Sequence, residues 1–263
     1  MSLVEQVFGK PGYSTDLCLN ERELVFFQTV IGDQWLGRLR SLYPELMDAS
    51  SSVELPYYHV LSDKINHKEL WHKKHRLLSQ DVVQTIKTFD FMRQLQEEFG
   101  LFSIAKVVFD NAVDQGREEI YWRLVRPGVA SDIGPLHADK WFHNLVGDTG
   151  YGMFPPGTKT VKIWMAIHTE PGLNGLLVVP NSHKKDWENA AVEVDGHLKP
   201  CIKEDIPASE IELVPTEPGR LIIFNEKLLH TGCLNRGATT RVSTEITMVL
   251  GPVDNSTIMA LTG

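Results

Sequence analysis

His137 and Asp139, separated only by Ala138, and the distant His230 are the side chains with the clearest chemistry in this chain. Two imidazoles and one carboxylate are the ligand set of the facial triad, which grips non-heme Fe(II) on one side and leaves the other positions open to small molecules. Extended backbone sends residues two apart to the same side, with Cα atoms roughly 6–7 Å from each other. His137 and Asp139 can therefore share one ion from a single strand end. The third ligand must come from elsewhere in the fold, and His230 is the best candidate.

The segment after His230 adds to the pattern. His230 ends an apolar run over residues 221–229, a turn-rich stretch follows over 231–237, and residues 241–249 alternate as a strand does. A hairpin centred on Asn235 and Arg236 predicts His230 opposite Arg241, with Cα atoms about 5 Å apart. Arg241 and Ser243 then share one face beside the metal. A guanidinium fork holds a carboxylate through two parallel hydrogen bonds, and Ser243 offers a third. A ligand that chelates iron at one end and presents a carboxylate at the other is 2-oxoglutarate.

With these motifs in order, the chain resembles the Fe(II)/2-oxoglutarate-dependent oxygenases of the phytanoyl-CoA dioxygenase (PhyH-like) family. The likeness is carried by Gly134-Pro135-Leu136-His137-Ala138-Asp139, by residues 164–167, by residues 174–183, and by residues 218–241 from Pro218-Gly219-Arg220 through His230 to Arg241. It covers about residues 118–250; the first hundred residues carry none of it. The resemblance implies that His137, Asp139 and His230 bind Fe(II), that Arg241 binds the distal carboxylate of 2-oxoglutarate, and that Trp164 lines the cosubstrate pocket. It implies consumption of O2 and 2-oxoglutarate, release of succinate and CO2, and hydroxylation of a C–H bond of a small-molecule metabolite. Related halogenases carry a small residue where Asp139 stands, so the carboxylate favours hydroxylation. Two positions depart from the family pattern. Gly232 replaces a frequent hydroxyl residue, and Asn181 replaces a turn glycine, although Asn also tolerates left-handed backbone. The alternatives are a divalent-metal hydrolase, which has no use for Arg241, and a catalytically silent jelly-roll binding protein, which need not keep all four residues.

Other polar positions leave choices open. Strand alternation puts Lys162, Trp164 and Ala166 on one face. If Trp164 faces inward so does Lys162, which then needs an anion, and a cosubstrate or substrate carboxylate would serve. In the opposite register Lys162 lies in water. Arg123 and Tyr121 pose the same choice between contact with cosubstrate or an anionic substrate and structural ion pairing. His67, His72 and His75, among Lys68, Lys73, Lys74 and Arg76, read as a solvated basic face rather than a metal site. His143 lies close enough to His137 in sequence to orient substrate or a ligand, His183 closes a turn, and His168 faces either way. The glycine-rich residues 147–157 lack the phosphate-loop order and read as a mobile lid, with a plain hairpin loop as the alternative.

The elements that must position these groups fall into two zones. Residues 20–100 are helical in pattern. Asn20 and Glu23 form a capping box, amphipathic stretches follow over 35–47 and 70–78, and a last one over 82–99 stops at Gly100. From residue 102 the chain turns to short β-rich runs at 104–109, 120–125, 161–167, 176–179, 221–224 and 242–250. That is the texture of a double-stranded β-helix, a cupin-like jelly roll, mainly β with N-terminal helices on the outside of the major sheet. No linker separates the zones, so residues 1–263 are expected to form one oxygenase domain.

Composition sets the outer bounds. The net charge of −8 argues against a nucleic-acid partner, which would require a basic face. No run approaches the ~20 apolar residues of a membrane span, and no signal peptide is visible. Three scattered cysteines, Cys18, Cys201 and Cys233, point to a reducing, cytoplasmic setting. The expected partner is a small-molecule substrate, and the expected state a monomer or homodimer.

Overall fold

The computed structural model describes residues 1–46, 53–67, 73–107, 116–142, 158–194 and 197–251. Among the described residues the α-helices are α1 (Leu3–Phe8), α2 (Glu21–Leu42), α3 (Gln80–Ile86) and α4 (Asp90–Phe99). The strands are β1 (Tyr13–Ser14), β2 (Phe102–Ile104), β3 (Ile120–Val125), β4 (Lys159–His168), β5 (Leu176–Val178), β6 (Asn189–Val194), β7 (His197–Ile202), β8 (Glu212–Val214), β9 (Leu221–Asn225), β10 (His230–Gly232) and β11 (Arg241–Leu250).

Two sheets carry the site. The major sheet runs β1-β9-β4-β11-β2, and β3 pairs with β11 alongside β2. The minor sheet runs β10-β5-β8. His137 extends it through an antiparallel bridge to His230, so the His-x-Asp segment takes a fourth place at its edge. All the strand pairs are antiparallel. Between the sheets, Trp164, Ala166, Ile222 and Phe224 meet Leu176, Val178 and Val214 in a buried cluster. This is the expected jelly roll.

The outer face of the major sheet is apolar and lies under the helices. Phe27, Ile31, Trp35 and Leu39 recur every four residues on α2 and belong to one core with Ile163, Met165, Ile246 and Met248. That spacing makes a single buried stripe. It also explains why α2 is one helix where the sequence suggested two. Gly32 and Gly37 sit mid-helix with nothing within 4 Å of an added Cβ, and their weak propensity, about 1 kcal/mol each against Ala, is outweighed by the stripe.

The N-terminal capping box of α2 is present, with Asn20 Oδ1 accepting from Glu23 N–H at 3.0 Å and Glu23 Oε2 accepting from Asn20 N–H at 2.9 Å. The other oxygen of Glu23 accepts from Asp90 N–H at 2.6 Å, capping α4 as well. Residues 82–99 break into α3 and α4, because the chain turns at Lys87-Thr88-Phe89 to reach that second cap. Gly100 ends α4 with φ +74°.

Residues 76–78 are extended rather than helical. Leu78 N–H donates to Ile120 O and Trp122 N–H to Arg76 O, which covers the edge of β3. Of the basic cluster, Lys74 is exposed as a solvated face requires, Lys68, His72 and the Lys73 side chain lie outside the described residues, and Arg76 departs from the expectation. Arg76 is buried and donates to Trp122 O at 2.6 Å. His67 lies 2.6 Å from Tyr58 Oη, and His75 3.1 Å from an Arg38 nitrogen. Leu70, Trp71, His72, His143 and the proposed lid at 147–157 lie outside the described residues. No helix among the described residues is long and apolar enough to cross a membrane.

Candidate active site

Ala138 is extended, with φ −110° and ψ 138°, and a short 3-10 turn begins at Asp139. His137 and Asp139 therefore project to one side, while Ala138 is buried with Trp141, Val179 and Leu229. His230 opens β10, and its backbone is tied to that of His137 in both directions, N–H to O at 2.8 and 3.1 Å. The imidazole centroids lie 4.5 Å apart. His137 Nε2 is 3.7 Å from Asp139 Oδ1, and His230 Nε2 is 3.7 Å from Asp139 Oδ2. One ligand atom from each residue falls within 4.8 Å of the others, and this is the candidate metal-binding group among the described residues.

The donor chemistry suits a divalent metal. His137 Nδ1 lies 2.8 Å from Pro135 O and His230 Nδ1 3.0 Å from Leu228 O. Each Nδ1 thus donates to a carbonyl, which leaves each Nε2 as a bare acceptor facing Asp139. Burial pushes the His230 pKa down to about 4, so its ring is neutral and able to ligate at neutral pH. Burial alone would raise the carboxyl of Asp139, but the Lys162 ammonium and the two imidazoles outweigh it and hold the group well below the usual range. Buried Asp139 Oδ2 accepts no hydrogen bond from the described residues.

The inner face of the major sheet supplies the rest. Register sets Ser243 opposite Arg123 on β3 and Ala166 on β4, Glu245 opposite Tyr121 and Trp164, and Thr247 opposite Lys162. Lys162 thus points inward with Trp164. Its ammonium donates to Thr247 Oγ1 at 2.7 Å and lies 3.5 Å from Asp139 Oδ2. The anion that makes an inward lysine tolerable is the triad carboxylate.

Arg241 is buried, donates to Gly175 O at 2.9 Å, and holds its guanidinium carbon 5.5 Å from the centre of the Trp164 ring. Burial lowers its pKa to about 10, which leaves it charged at neutral pH. Among the described residues its Nε and the fully buried Ser243 Oγ have no hydrogen-bond partner. Orphaned donors of this kind, side by side on one strand, match a carboxylate ligand.

Arg123 lies against Glu245, Nε to Oε1 at 2.7 Å, and donates to Tyr121 Oη at 3.2 Å; Tyr121 in turn donates to Glu245. Glu245 was missed in the sequence. Alternation from Arg241 and Ser243 places it on the same face and was the available signal. Burial raises its carboxyl, while Arg123, Lys162 and the Tyr121 hydroxyl more than reverse that.

One expectation fails. His230 is not paired across a hairpin with Arg241. β10 pairs with β5 in the minor sheet and β11 with β3 and β4 in the major one. Residues 233–240 cross between sheets, pinned by buried Asn235, which donates to Val125 O and Thr239 O at 2.8 Å each. The two residues come from the two facing sheets. Asn181 adopts the left-handed conformation, φ 64°, and His183 packs buried beneath Gly12. His168 is half-buried, and burial lowers its pKa to about 4.

A jelly roll with two imidazoles and a carboxylate at the mouth and a buried arginine inside defines the class of non-heme Fe(II)/2-oxoglutarate-dependent oxygenases. The chain belongs to the phytanoyl-CoA dioxygenase (PhyH) family, whose pattern matches residues 24–243. It is thus a non-heme iron oxygenase that uses 2-oxoglutarate and O2. Solved structures share the fold at low identity. The apo form of ThoJ, a non-heme monooxygenase, is 12% identical with a TM-score of 0.54, over 94% of this chain and 77% of that one. SnoK, a non-heme α-ketoglutarate-dependent carbocyclase from nogalamycin biosynthesis, is 11% identical with a TM-score of 0.52, over 98% and 89%. No curated protein sequence matches the chain.

Proposed function

We propose that this oxygenase hydroxylates a C–H bond of a small-molecule metabolite, with release of succinate and CO2. The observation that carries the reading is the convergence of His137 Nε2, Asp139 and His230 Nε2 on one point, with both Nδ1 atoms committed to carbonyls. When bound, iron with 2-oxoglutarate supplies the oxidising power for O2 chemistry. The protein's part is to hold and to orient. His137, Asp139 and His230 bind the metal on one face. Lys162, 3.5 Å from Asp139 Oδ2, keeps that carboxylate ionised. Arg241 and Ser243 take the distal carboxylate of the cosubstrate, with Trp164 flanking the guanidinium. Phe224, whose ring centre is 4.7 Å from that of His230, walls the site with apolar surface and keeps water from it. Asp139, as a carboxylate ligand rather than a small residue, supports hydroxylation.

The test is spectroscopic. Anaerobic addition of Fe(II) and 2-oxoglutarate is expected to give a visible metal-to-ligand charge-transfer band, absent in His137→Ala and Asp139→Ala. Persistence of the band in both variants would overturn the ligand assignment. Substrates then emerge from a screen for substrate-dependent succinate release, confirmed by a mass gain of one oxygen.

A further inference from the structure

Arg123 is the one charged residue of the inner face whose side chain remains substantially open. It keeps 40% of its side-chain surface, against 16% for its partner Glu245, 10% for Lys162 and 17% for Asp139. Its β3 neighbours Tyr121, Trp122, Leu124 and Val125 are all buried, so the opening is local to this side chain. Its guanidinium is fixed on one flank only. Nε faces Glu245, and one terminal nitrogen donates to Tyr121 Oη. A guanidinium has five N–H donors in a planar fork, and the other terminal nitrogen of Arg123 meets no partner among the described residues.

Charge balance points the same way. Arg123, Lys162 and Arg241 share the inner face of the major sheet with Glu245, and Asp139 lies against Lys162. Fe(II) and 2-oxoglutarate carry equal and opposite charge and cancel. Among these described side chains one positive charge is left over. A net positive site favours an anionic ligand over a neutral one. Lys162 is engaged by Asp139 and Thr247, and Arg241 by Gly175 and the proposed cosubstrate site. Arg123 is the cation that stays accessible.

We propose that Arg123 anchors an oxyanion on the prime substrate, a carboxylate or a phosphate, on the β3 side of the cavity across β11 from Lys162 and Asp139. Glu245 and Tyr121 are positioning residues that set the plane of the fork. The proposal rests on the oxygenase reading above. Of the roles the sequence left open for Arg123, it selects contact with an anionic substrate over contact with the cosubstrate. The substrate class is then an acid or a phosphate monoester that holds its reactive C–H toward the iron from its charged end.

The test uses the full chain, loaded anaerobically with Fe(II) and 2-oxoglutarate. The probes are hexanoate and hexyl phosphate, each beside its uncharged counterpart, hexanamide and hexanol. Calorimetry and perturbation of the charge-transfer band are the readouts. At least one anion is expected to bind about 10- to 100-fold more tightly than its neutral counterpart, the range of a charge-assisted contact. Arg123→Gln should erase the preference and Arg123→Lys keep part of it, while 2-oxoglutarate titrates as in the parent. Because Arg123→Gln alone strands the Glu245 carboxylate, the pair Arg123→Gln with Glu245→Gln repeats the test without an orphan charge. Equal binding of charged and neutral probes overturns the proposal, as does a preference that survives in the double variant. A weakened 2-oxoglutarate titration would return Arg123 to the cosubstrate. Failure of the oxygenase reading is separable: the parent then gives no band, while calorimetry still reports the anion preference.

Discussion

Along β11, Val242, Ile246, Met248 and Leu250 turn toward the helices, while Arg241, Ser243, Glu245 and Thr247 turn toward the space between the sheets. Backbone and hydrogen-bond ladder are common to both faces; the side chains are not. The outer face is apolar apart from buried Thr244, and it is closed by α2. Burial there supplies stability, because each apolar group removed from water contributes and none needs a partner. The inner face puts cations and carboxylates where every charge must be answered. The strand thus separates what holds the protein together from what it acts with. Substitutions on the two faces should fail in different assays.

The largest expected effect on the inner face, after loss of a metal ligand, is at Arg241. Arg241→Ala should raise the Kd for 2-oxoglutarate by roughly 30- to 1,000-fold, the equivalent of about 2–4 kcal/mol for a lost charge-assisted pair, with little change in iron affinity. Arg241→Lys should recover only part, since an ammonium cannot reproduce the fork. Equal effects on iron and cosubstrate would break the assignment. On the outer face, Ile246 is buried between Ile120 and Ile163 of the neighbouring strands. Ile246→Ala should cost about 2–5 kcal/mol of stability in denaturant unfolding, with the 2-oxoglutarate titration of the folded fraction unchanged. A change in cosubstrate affinity without loss of stability would erase the distinction between faces.

A smaller effect concerns protons. His168 has a folded pKa of about 4, lowered by burial. Between that value and the unfolded value near 6.5, the unfolded state binds the proton and the folded state does not. Stability is therefore full above pH 6.5 and falls as pH drops toward 4, by about 1–3 kcal/mol from this group. His168→Gln should flatten the dependence of Tm on pH in that window; an unchanged slope would remove His168 as a contributor. His67 and His230 act in the same direction, so the slope shrinks without vanishing. The smallest effect is at the helix layer. Asn20→Ala, which deletes the α2 cap, should cost about 1 kcal/mol, seen as a modest fall in Tm with no change in the charge-transfer band.

The chemistry of the inner face was legible where it follows local rules. Residues two apart on extended chain share a side, which gave His137 with Asp139 and Arg241 with Ser243. The same rule, carried two residues further, reaches Glu245. What sequence did not reveal is which strand neighbours which. The His230–Arg241 hairpin was inferred from proximity along the chain, yet the turn-rich link crosses between sheets, and only long-range pairing decides that. The hairpin of β6 and β7 was missed although Asp195-Gly196, a dipeptide that favours tight hairpin turns, lies between its strands. Within the basic stretch, Arg76 departed from its reading for another reason. Charge density suggests solvent, but Arg76 covers the open edge of β3 and finds its partner in a backbone carbonyl. The helix pattern at 20–42 was clear, and its two glycines obscured only its continuity.

His137 and His230 exchange both of their amide hydrogen bonds, so the gap between their rings belongs to the sheet and not to any ion. A chelator should strip the metal and leave the seat intact. Reloading then requires only small side-chain torsions, and a redox-inert divalent ion of similar size can be substituted to trap the complex with cosubstrate while no turnover occurs.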